Sequence, residues 1–296
     1  MRVLLSGISS FTGFWFARTL ANRGHNVVGT LTRRLDSYDG LRKSRLDSLG
    51  EGCTVVESAP FGSPEFVRLV RDGGFDAVCA HGALVEGYRD KNFPFIKAAE
   101  GNTRNIAEVC EMIASGGRDS RLVLTGSVFE ANEGVGDPDR RAFSAYGLSK
   151  TLTSQVFEFF AGEFGVPLVK FVVPNPFGPL EEPRFIHYLM NTWRAGETAS
   201  VRTPEYIRDN IHVDLLASCY VSALEAEVWS SALKVIRPSG YVESQGAFSL
   251  RVSREMSRRT GWECGVDLAR QTDFSEPMFR TNDQPASVQV ENWDEE

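Results

Sequence analysis

Apolar and polar residues follow each other along the first 173 positions in two regular ways. Short apolar runs are typical of buried β-strands, and longer segments with apolar residues every three or four positions are typical of helices. Strands are predicted over residues 2–6, 26–31, 53–57, 76–80, 121–125 and 166–173. Helices are predicted over residues 12–23, 102–114 and 145–164. This alternation predicts an α/β fold with a doubly wound parallel sheet.

The pattern loosens after Pro174. Four prolines between residues 174 and 183 argue against regular helix and central strand, so we predict a loop that lines a site. Helices are predicted again over residues 185–195, 214–227 and 244–260. We divide the chain into a sheet domain (1–173), a mainly substrate-binding region (174–283) with some segments returning to the core, and a flexible acidic tail (284–296).

A glycine-containing turn at residues 6–13 joins the first predicted strand directly to the first predicted helix. Glycine permits a tight turn and close approach of a pyrophosphate, and the helix N-terminus offers free N–H groups at the positive end of its dipole. Ser10 replaces the middle glycine of a Gly-x-x-Gly-x-x-Gly turn with a hydroxyl donor. We predict a dinucleotide-binding domain over residues 1–173, with phosphate contacts from Gly7, Ser10, Phe11, Thr12 and Gly13.

Arg33 and Arg34 follow the second predicted strand, and residues 27–34 contain no acidic side chain. A carboxylate at this place would accept hydrogen bonds from the adenosine ribose of NAD, whereas two guanidinium groups suit the 2′-phosphate of NADP. The sequence therefore favours NADP(H) as the cofactor, with NAD(H) as the alternative.

Tyr146 and Lys150 are four residues apart in a predicted helix, so their side chains share one face. An ammonium beside a phenol stabilises the phenolate and lowers its pKa toward neutrality. Such a phenol can give a proton to a carbonyl oxygen or take one from an alcohol. We predict that this pair forms the centre of a catalytic site.

Charge and cysteine content narrow the class of protein. The formal net charge of −7 argues against general nucleic-acid binding. The five cysteines are odd in number and widely spaced, which argues against disulfide frameworks and metal sites and fits a reducing compartment. No apolar run has the length of a membrane span. We expect a cytoplasmic protein that does not associate with membranes.

Several motifs together resemble a known family. The glycine turn and Tyr-x-x-x-Lys resemble the short-chain dehydrogenase/reductase superfamily, and four further segments resemble its extended branch, the nucleotide-sugar epimerase/dehydratase/reductase group. They lie at residues 80–83 (His-x-Ala in the family), 124–129 (Ser/Thr-x-x-Val-Tyr), 175–179 (Asn-x-Tyr-Gly-Pro) and 208–214 (Arg-Asp-Phe-Ile-His-Val-Asp). The matches follow the family's order and span residues 1 to about 224. They imply a Rossmann-type sheet with a small C-terminal substrate-binding annexe.

The resemblance implies a role for each matching residue. Tyr146 would be the acid–base group, Lys150 would lower its pKa and hold the nicotinamide ribose, and Thr125 would bond the reacting sugar oxygen. His81 would lie beside the cofactor. A nucleotide-diphosphate sugar would be contacted by Thr125, Ser127, Asn175 and Arg208. The resemblance also implies a homodimer packed through the helices at 102–114 and 145–164.

The sequence departs from the family pattern at positions that bear on the substrate. Phe129 replaces the signature Tyr, Glu130 replaces the following Gly, and Val172 stands where the family often has Arg. A 4,6-dehydratase needs a titratable acid and base beside the catalytic Thr, whereas this chain has Gly126 and Ser127 there. A dehydratase is therefore disfavoured.

The remaining reactions differ in how they use the cofactor. The arginine pair, and a chain length similar to that of the family's ketoreductases, favour an NADPH-dependent reductase of the C4 ketone of a nucleotide-activated 6-deoxy sugar, an enzyme of deoxysugar biosynthesis. A nucleotide-sugar epimerase with tightly bound NAD is the alternative within the family. Two further alternatives are a non-catalytic nucleotide-binding or scaffold protein and a reductase of a non-nucleotide carbonyl compound, which the Arg208 segment disfavours.

Overall fold

The computed structural model describes residues 1–116, 120–134, 141–226 and 233–286. Its helices are α1 (Phe11–Asn22), α2 (Gly40–Asp47), α3 (Pro64–Gly73), α4 (Phe95–Asn102), α5 (Ile106–Ser115), α6 (Ala145–Glu163), α7 (Phe185–Arg194), α8 (Val213–Glu225) and α9 (Gln245–Thr260). The strands of the main sheet are β1 (Arg2–Ser6), β2 (Asn26–Thr30), β3 (Cys53–Val56), β4 (Ala77–Ala80), β5 (Arg121–Ser127), β6 (Leu168–Val173) and β10 (Leu233–Ile236). Shorter strands are β7 (Asn175–Phe177), β8 (Ala199–Val201), β9 (Ile207–His212), β11 (Pro238–Ser239), β12 (Tyr241–Ser244), β13 (Val266–Leu268), β14 (Phe279–Arg280) and β15 (Gln284–Pro285).

The main sheet has the order β10-β6-β5-β4-β1-β2-β3, and every neighbouring pair is parallel. The direction of winding reverses between β1 and β4, so the crossovers on the two sides lead away from this point. In open sheets of this type, ligands bind outside the carboxyl ends of the strands at the reversal. The predicted doubly wound, Rossmann-type α/β fold is confirmed.

Helices cover both faces of the sheet. Val3 and Leu5 point into a core shared with α1, α2 and α8, whereas Leu4 between them points into a core shared with α3, α5 and α6. This is the period-two alternation of a strand buried on both faces.

The homodimer stays a prediction. Leu148 and Phe159 on α6 are 38% and 60% exposed, and a second copy packed on this helix would cover them. Sedimentation velocity would measure whether the protein is a dimer in solution.

A small second sheet lies in the part of the chain after Pro174. Strand β9 pairs with antiparallel β12 along one edge and with parallel β14 and then β7 along the other. The Pro-rich segment therefore contains a strand at Asn175–Phe177, where a loop was predicted. This is possible because β7 is three residues long and pairs along one edge only.

Other boundaries also differ from the sequence prediction. The helix predicted over residues 102–114 begins only at Ile106, as α5, because Asn105 adopts a left-handed conformation with φ of 51°, and the preceding helix α4 was not predicted. Strand β10 returns to the edge of the main sheet although no strand was predicted there. Gln284 and Pro285, within the predicted tail, pair with β11, and residues 287–296 lie outside the described part of the chain.

The glycine turn is held against the end of β4. Gly7 has φ of 76°, and its N–H donates to the Thr30 carbonyl at 3.2 Å. A Cβ at Gly7 would lie 2.6 Å from Gly82 Cα. Both loops are main chain at this contact, so neither can give way as a side chain would.

We expect Gly7→Ala to lower the free energy of unfolding by about 3 kcal/mol or more, because it adds backbone overlap to an unfavourable φ. Gly24→Ala is the matched control: Gly24 also has positive φ (81°), yet its Cβ would have no atom within 4 Å. That variant should lose only about 1 to 2 kcal/mol. Urea unfolding of both variants measures the difference, and equal losses would contradict the close approach seen here.

Candidate active site

Lys150 and Thr125 meet where β5 ends beside α6, and Tyr146 lies one helical turn before Lys150. Ser144 caps α6 by accepting the Gly147 N–H at 3.0 Å, and a Cβ at Gly147 would lie 2.0 Å from the Phe129 carbonyl oxygen. The first turn of α6 is therefore pressed onto the loop that follows β5. One turn later, the buried Lys150 ammonium donates to the Thr125 carbonyl at 2.6 Å.

His81 connects this site to the glycine turn. Its Nδ1 lies 2.9 Å from Thr125 Oγ1, and its Nε2 lies 3.0 Å from Ser10 Oγ and 3.1 Å from Thr12 Oγ1. Burial, and then the nearby Lys150 charge, lower the pKa of His81 to about 3. The imidazole is therefore neutral at physiological pH and both donates and accepts among these hydroxyl groups. Ser10 also caps α1 by accepting the Gly13 N–H at 3.1 Å.

Tyr146 is enclosed by aromatic rings. The centroids of Tyr88, Phe93 and Phe129 each lie 5.8 Å from its own. Burial, and then the Glu130 carboxylate, raise the pKa of Tyr146, although Arg184 and a hydrogen bond with Ser127 act in the opposite direction. The expectation of a lowered pKa is therefore wrong for this structure, because desolvation outweighs the cationic neighbours and Lys150 points its ammonium at the Thr125 carbonyl.

A buried chain of charges that the sequence analysis missed lies behind the site. Glu130 accepts the Ser127 N–H at 2.7 Å and pairs with Lys170 at 2.8 Å. Lys170 lies 2.9 Å from Glu133, which pairs with Arg237 at 2.6 Å. Gly126 provides the room, since a Cβ there would lie 3.0 Å from Lys170 Cε. The sequence signal for this row of buried charges was a single lysine, Lys170, inside the apolar run of β6.

The predicted substrate residues Asn175 and Arg208 lie on the small sheet. Asn175 is aligned with Asn210 in the β7–β9 pair, and its Nδ2 is buried without a hydrogen-bond partner. The Arg208 guanidinium is buried and bonds to backbone carbonyls and to Glu276 at 2.9 Å. Ser127, predicted to contact the substrate, lies beside Tyr146 and hydrogen-bonds with it, and its contact with a substrate stays a prediction.

The two arginines after β2 have different surroundings. Arg33 lies over the Tyr38 ring, with 4.7 Å between its Cζ and the ring centroid, whereas Arg34 is exposed and pairs with Asp36 at 3.0 Å. Arg42, which the sequence analysis missed, donates to Ser9 Oγ in the glycine turn at 3.3 Å. Arg42 therefore contacts the glycine turn directly, and Arg33 packs on Tyr38, which itself bonds to Ser9 in the turn. A contact of Arg33 or Arg34 with a 2′-phosphate stays a prediction.

Two kinds of feature are absent from the residues that the structure describes. No helix among them is long and apolar enough to cross a membrane. Within the same residues, no group of three or more His, Cys, Asp or Glu side chains is arranged to hold a metal ion.

Comparison with known protein families identifies one family model. The model of the NAD dependent epimerase/dehydratase family matches residues 3–232, which is more than half of the chain. A comparison with curated protein sequences found no significant match.

Solved structures of similar fold cover nearly the whole chain. UDP-N-acetylglucosamine 4-epimerase from Methanobrevibacter ruminantium M1 is 15% identical with a TM-score of 0.70, over 99% of this chain and 90% of that one. UDP-glucuronic acid 4-epimerase from Bacillus cereus, in complex with UDP-glucuronic acid and NAD, is 18% identical with a TM-score of 0.67, over 94% and 88%. The UDP-glucose 4-epimerase of Thermus thermophilus, in complex with NAD, is 18% identical with a TM-score of 0.65, over 95% and 97%. At these identities the likeness establishes the fold.

The His81 pKa makes stability depend on pH. Because the folded pKa of about 3 lies below the ordinary 6.5, the unfolded chain binds more protons between these values, and stability falls as pH falls through this window. We expect His81 alone to account for a loss of about 1.4 kcal/mol between neutral pH and pH 5.5. Urea unfolding of the wild type and His81→Gln at pH 7.5 and 5.5 isolates this part by subtraction. An equal pH dependence in both proteins would refute the neutral buried imidazole.

Proposed function

Because the chain belongs to the NAD-dependent epimerase/dehydratase family, we propose that it is a nucleotide-sugar 4-epimerase that uses a nicotinamide dinucleotide. The observation that carries this proposal is that His81 joins Thr125, whose carbonyl accepts from Lys150, to the glycine turn. Tyr146 lies one helical turn before Lys150 and beside Ser127. The three similar structures described above are nucleotide-sugar 4-epimerases, two of them in complex with NAD, which supports the epimerase ahead of the reductase.

The residues of the glycine turn fit a dinucleotide. Helix α1 begins at Phe11 and presents its first N–H groups where the turn ends, next to the hydroxyl groups of Ser10 and Thr12. Because positions 7 and 13 are glycine, no side chain covers the main chain of the turn there. When bound, the nicotinamide would accept a hydride from the sugar carbon and return it.

Proton transfer would be the task of Tyr146. As a phenolate, Tyr146 would take the proton of the sugar hydroxyl as the hydride leaves C4, and the phenol so formed would return that proton to the oxygen when the hydride is added to the other face. Thr125 would bond the same sugar oxygen, with its hydroxyl oriented by His81 Nδ1 at 2.9 Å. The buried ammonium of Lys150 fixes the end of β5 through the Thr125 carbonyl, so that Thr125 stays in place beside α6.

The bound nucleotide and Tyr146 test the proposal together. Purified protein should release NAD on denaturation and should interconvert the C4 epimers of one nucleotide sugar without added cofactor. Tyr146→Phe should lose turnover by about 100-fold or more, because the acid–base group is gone, while retaining the bound nucleotide. Tyr88→Phe, which removes a phenol from the same group of rings, should keep most turnover. Full activity in Tyr146→Phe would contradict the assignment of Tyr146 as the acid–base group.

An NADPH-dependent reductase of a C4-keto sugar is the second candidate, and two observations favour it. Arg33 and Arg42 place two guanidinium groups beside the turn, where a 2′-phosphate would lie. The raised pKa of Tyr146 keeps its phenol protonated, which is the state that donates to a forming alkoxide. Rapidly exchanging NADPH, in place of retained NAD, would move the assignment to this candidate.

The arginine positions make the cofactor preference testable. If the site takes a 2′-phosphate, Arg33→Ala and Arg42→Ala should each weaken NADPH binding about tenfold with little effect on NADH, because each removes a charge-assisted hydrogen bond. Arg34→Ala is the control of equal charge, since Arg34 is exposed and pairs with Asp36. Fluorescence titration of both nucleotides gives the ratios. Equal losses for NADPH and NADH would assign these arginines to a site common to both cofactors.

A further inference from the structure

Residues 179–182, which we call the strap, connect the small sheet to the helices beside the glycine turn. The strap follows β7, which comes directly after β6 and so starts beside the end of β5 that carries Thr125. It then contacts α1 and α2, and the chain enters α7 at Phe185. The strap therefore runs between the two ends of the candidate site, from the side of Thr125 to the side of the glycine turn.

Two side chains attach the strap to the sheet domain. Trp15 on α1 donates its Nε1–H to the Pro179 carbonyl at 3.1 Å. The guanidinium of Arg45 on α2 donates to the Leu180 carbonyl, from Nε at 2.9 Å and from Nη2 at 2.5 Å. Because both acceptors are main-chain carbonyls, these contacts fix the path of the strap itself.

Arg45 also bonds to the glycine turn. Its Nη1 donates to the Ser9 carbonyl at 3.2 Å and to Glu182 Oε1 at 2.8 Å. The Arg45 side chain is fully buried, whereas the Glu182 side chain is 36% exposed. One guanidinium thus joins α2, the glycine turn and the strap, and these bonds offset the cost of its burial. The strap therefore stays closed on the turn without help from a ligand.

Leu180 is strained in the closed strap. It has φ of 65°, a left-handed conformation that costs about 1 to 2 kcal/mol for a residue with a Cβ. The carbonyl of this same residue accepts both bonds from Arg45, so the guanidinium holds the strained residue in place. Gly178, with φ of 145°, precedes the strap and can take up a rotation of the chain. Loss of the Arg45 contacts would therefore favour an open strap.

A bound dinucleotide would follow the course of the strap. With its pyrophosphate on the glycine turn and its nicotinamide beside Thr125 and Lys150, it would extend between the same two ends of the site. The closed strap would then border the nucleotide along its length. Entry and release of the nucleotide would both require the contacts of Arg45 to break.

We propose that Arg45 is a positioning residue that holds the strap closed along the bound dinucleotide, so that the cofactor exchanges slowly and stays in place between turnovers. This inference rests on the proposed function for the class of ligand, a nicotinamide dinucleotide. It gives cofactor retention, on which the epimerase and the reductase differ, a structural cause outside the residues of the glycine turn. Glu182, half-exposed, is the part of this contact that solvent reaches.

The exchange rate of a reduced nucleotide tests the strap without any need for turnover. Protein loaded with NADH, or with NADPH if that binds more tightly, is mixed with a large excess of the oxidised form, and the change in nicotinamide fluorescence gives the rate constant of release. Arg45→Met should speed release about tenfold or more, because it removes the charge-assisted bonds to the strap. Glu182→Gln should speed release about threefold, because it removes one half-exposed ion pair. Association, followed by stopped flow, should also become faster, since an open strap admits the nucleotide more readily.

Two variants of equal charge change are the controls. Glu225→Gln removes a carboxylate that pairs with an arginine where α1 ends, and its side chain is 36% exposed, as is that of Glu182. Arg121→Met removes a guanidinium that, like that of Arg45, donates to main-chain carbonyls, here at the end of α8. Both lie at the edge of the sheet opposite the glycine turn, so neither should change release or association.

The outcomes separate the strap from the proposed function. Release and association that are both faster in Arg45→Met than in the controls, in a protein without epimerase or reductase activity, would support the strap and overturn the enzyme. Epimerisation with an unchanged release rate in Arg45→Met would support the enzyme and overturn the strap. Faster release with unchanged or slower association would also overturn the strap, because that is the signature of a damaged binding site.

A second variant decides if Arg45→Met fails to fold. Release and association that are both faster in Glu182→Gln than in Glu225→Gln would then support the strap, and any other result would overturn it. A protein that binds neither NADH nor NADPH would overturn both the strap and the proposed function.

Discussion

The neutral imidazole of His81 is the constraint on which the arrangement of the site depends. It stands between the hydroxyl of Thr125 on one side and the hydroxyl groups of Ser10 and Thr12 on the other. The ends of β1, β4 and β5 are thereby held in one relative position, with the backbones of Gly7 and Gly82 in contact beneath. Only a neutral ring can both donate and accept here, and burial near Lys150 keeps it neutral.

Buried charges form the second layer of the site, and their signs alternate. The ammonium of Lys150 would be costly in this environment without a compensating carboxylate, and the nearby Glu130 provides one. Glu130 is in turn balanced by Lys170, then Glu133 and Arg237. Such chains add little net stability, yet removing one member leaves a charge uncompensated. The departure from the family pattern at position 130 is therefore linked to Lys170 on β6.

The sheet and the main site could be predicted because local pattern and topology agree. Strands buried on both faces are continuous apolar runs, and parallel order places the ends of β1, β4 and β5 together, as for His81 and Thr125. The start of α5 was predicted at residue 102, four residues too early, because the left-handed conformation of Asn105 leaves no mark in the apolar pattern. The pKa of Tyr146 was predicted in the wrong direction because its enclosure by Tyr88, Phe93 and Phe129 depends on loops far apart in the chain.

Buried polar side chains in this protein fall into two groups, those whose donors all have partners within the chain and those with an unpartnered donor. Arg45, fully buried, donates to the carbonyls of Ser9 and Leu180 and pairs with Glu182, so its cost of burial is offset within the protein. Asn175, Asn210 and Arg280 also carry buried donor atoms, yet each keeps one of them without a partner. These donors share one face of the small sheet and adjoin Phe129 beside Tyr146. Burial with satisfied bonds is explained by the fold alone, whereas three unsatisfied donors on one face indicate a partner outside the chain, such as a ligand or an ordered water.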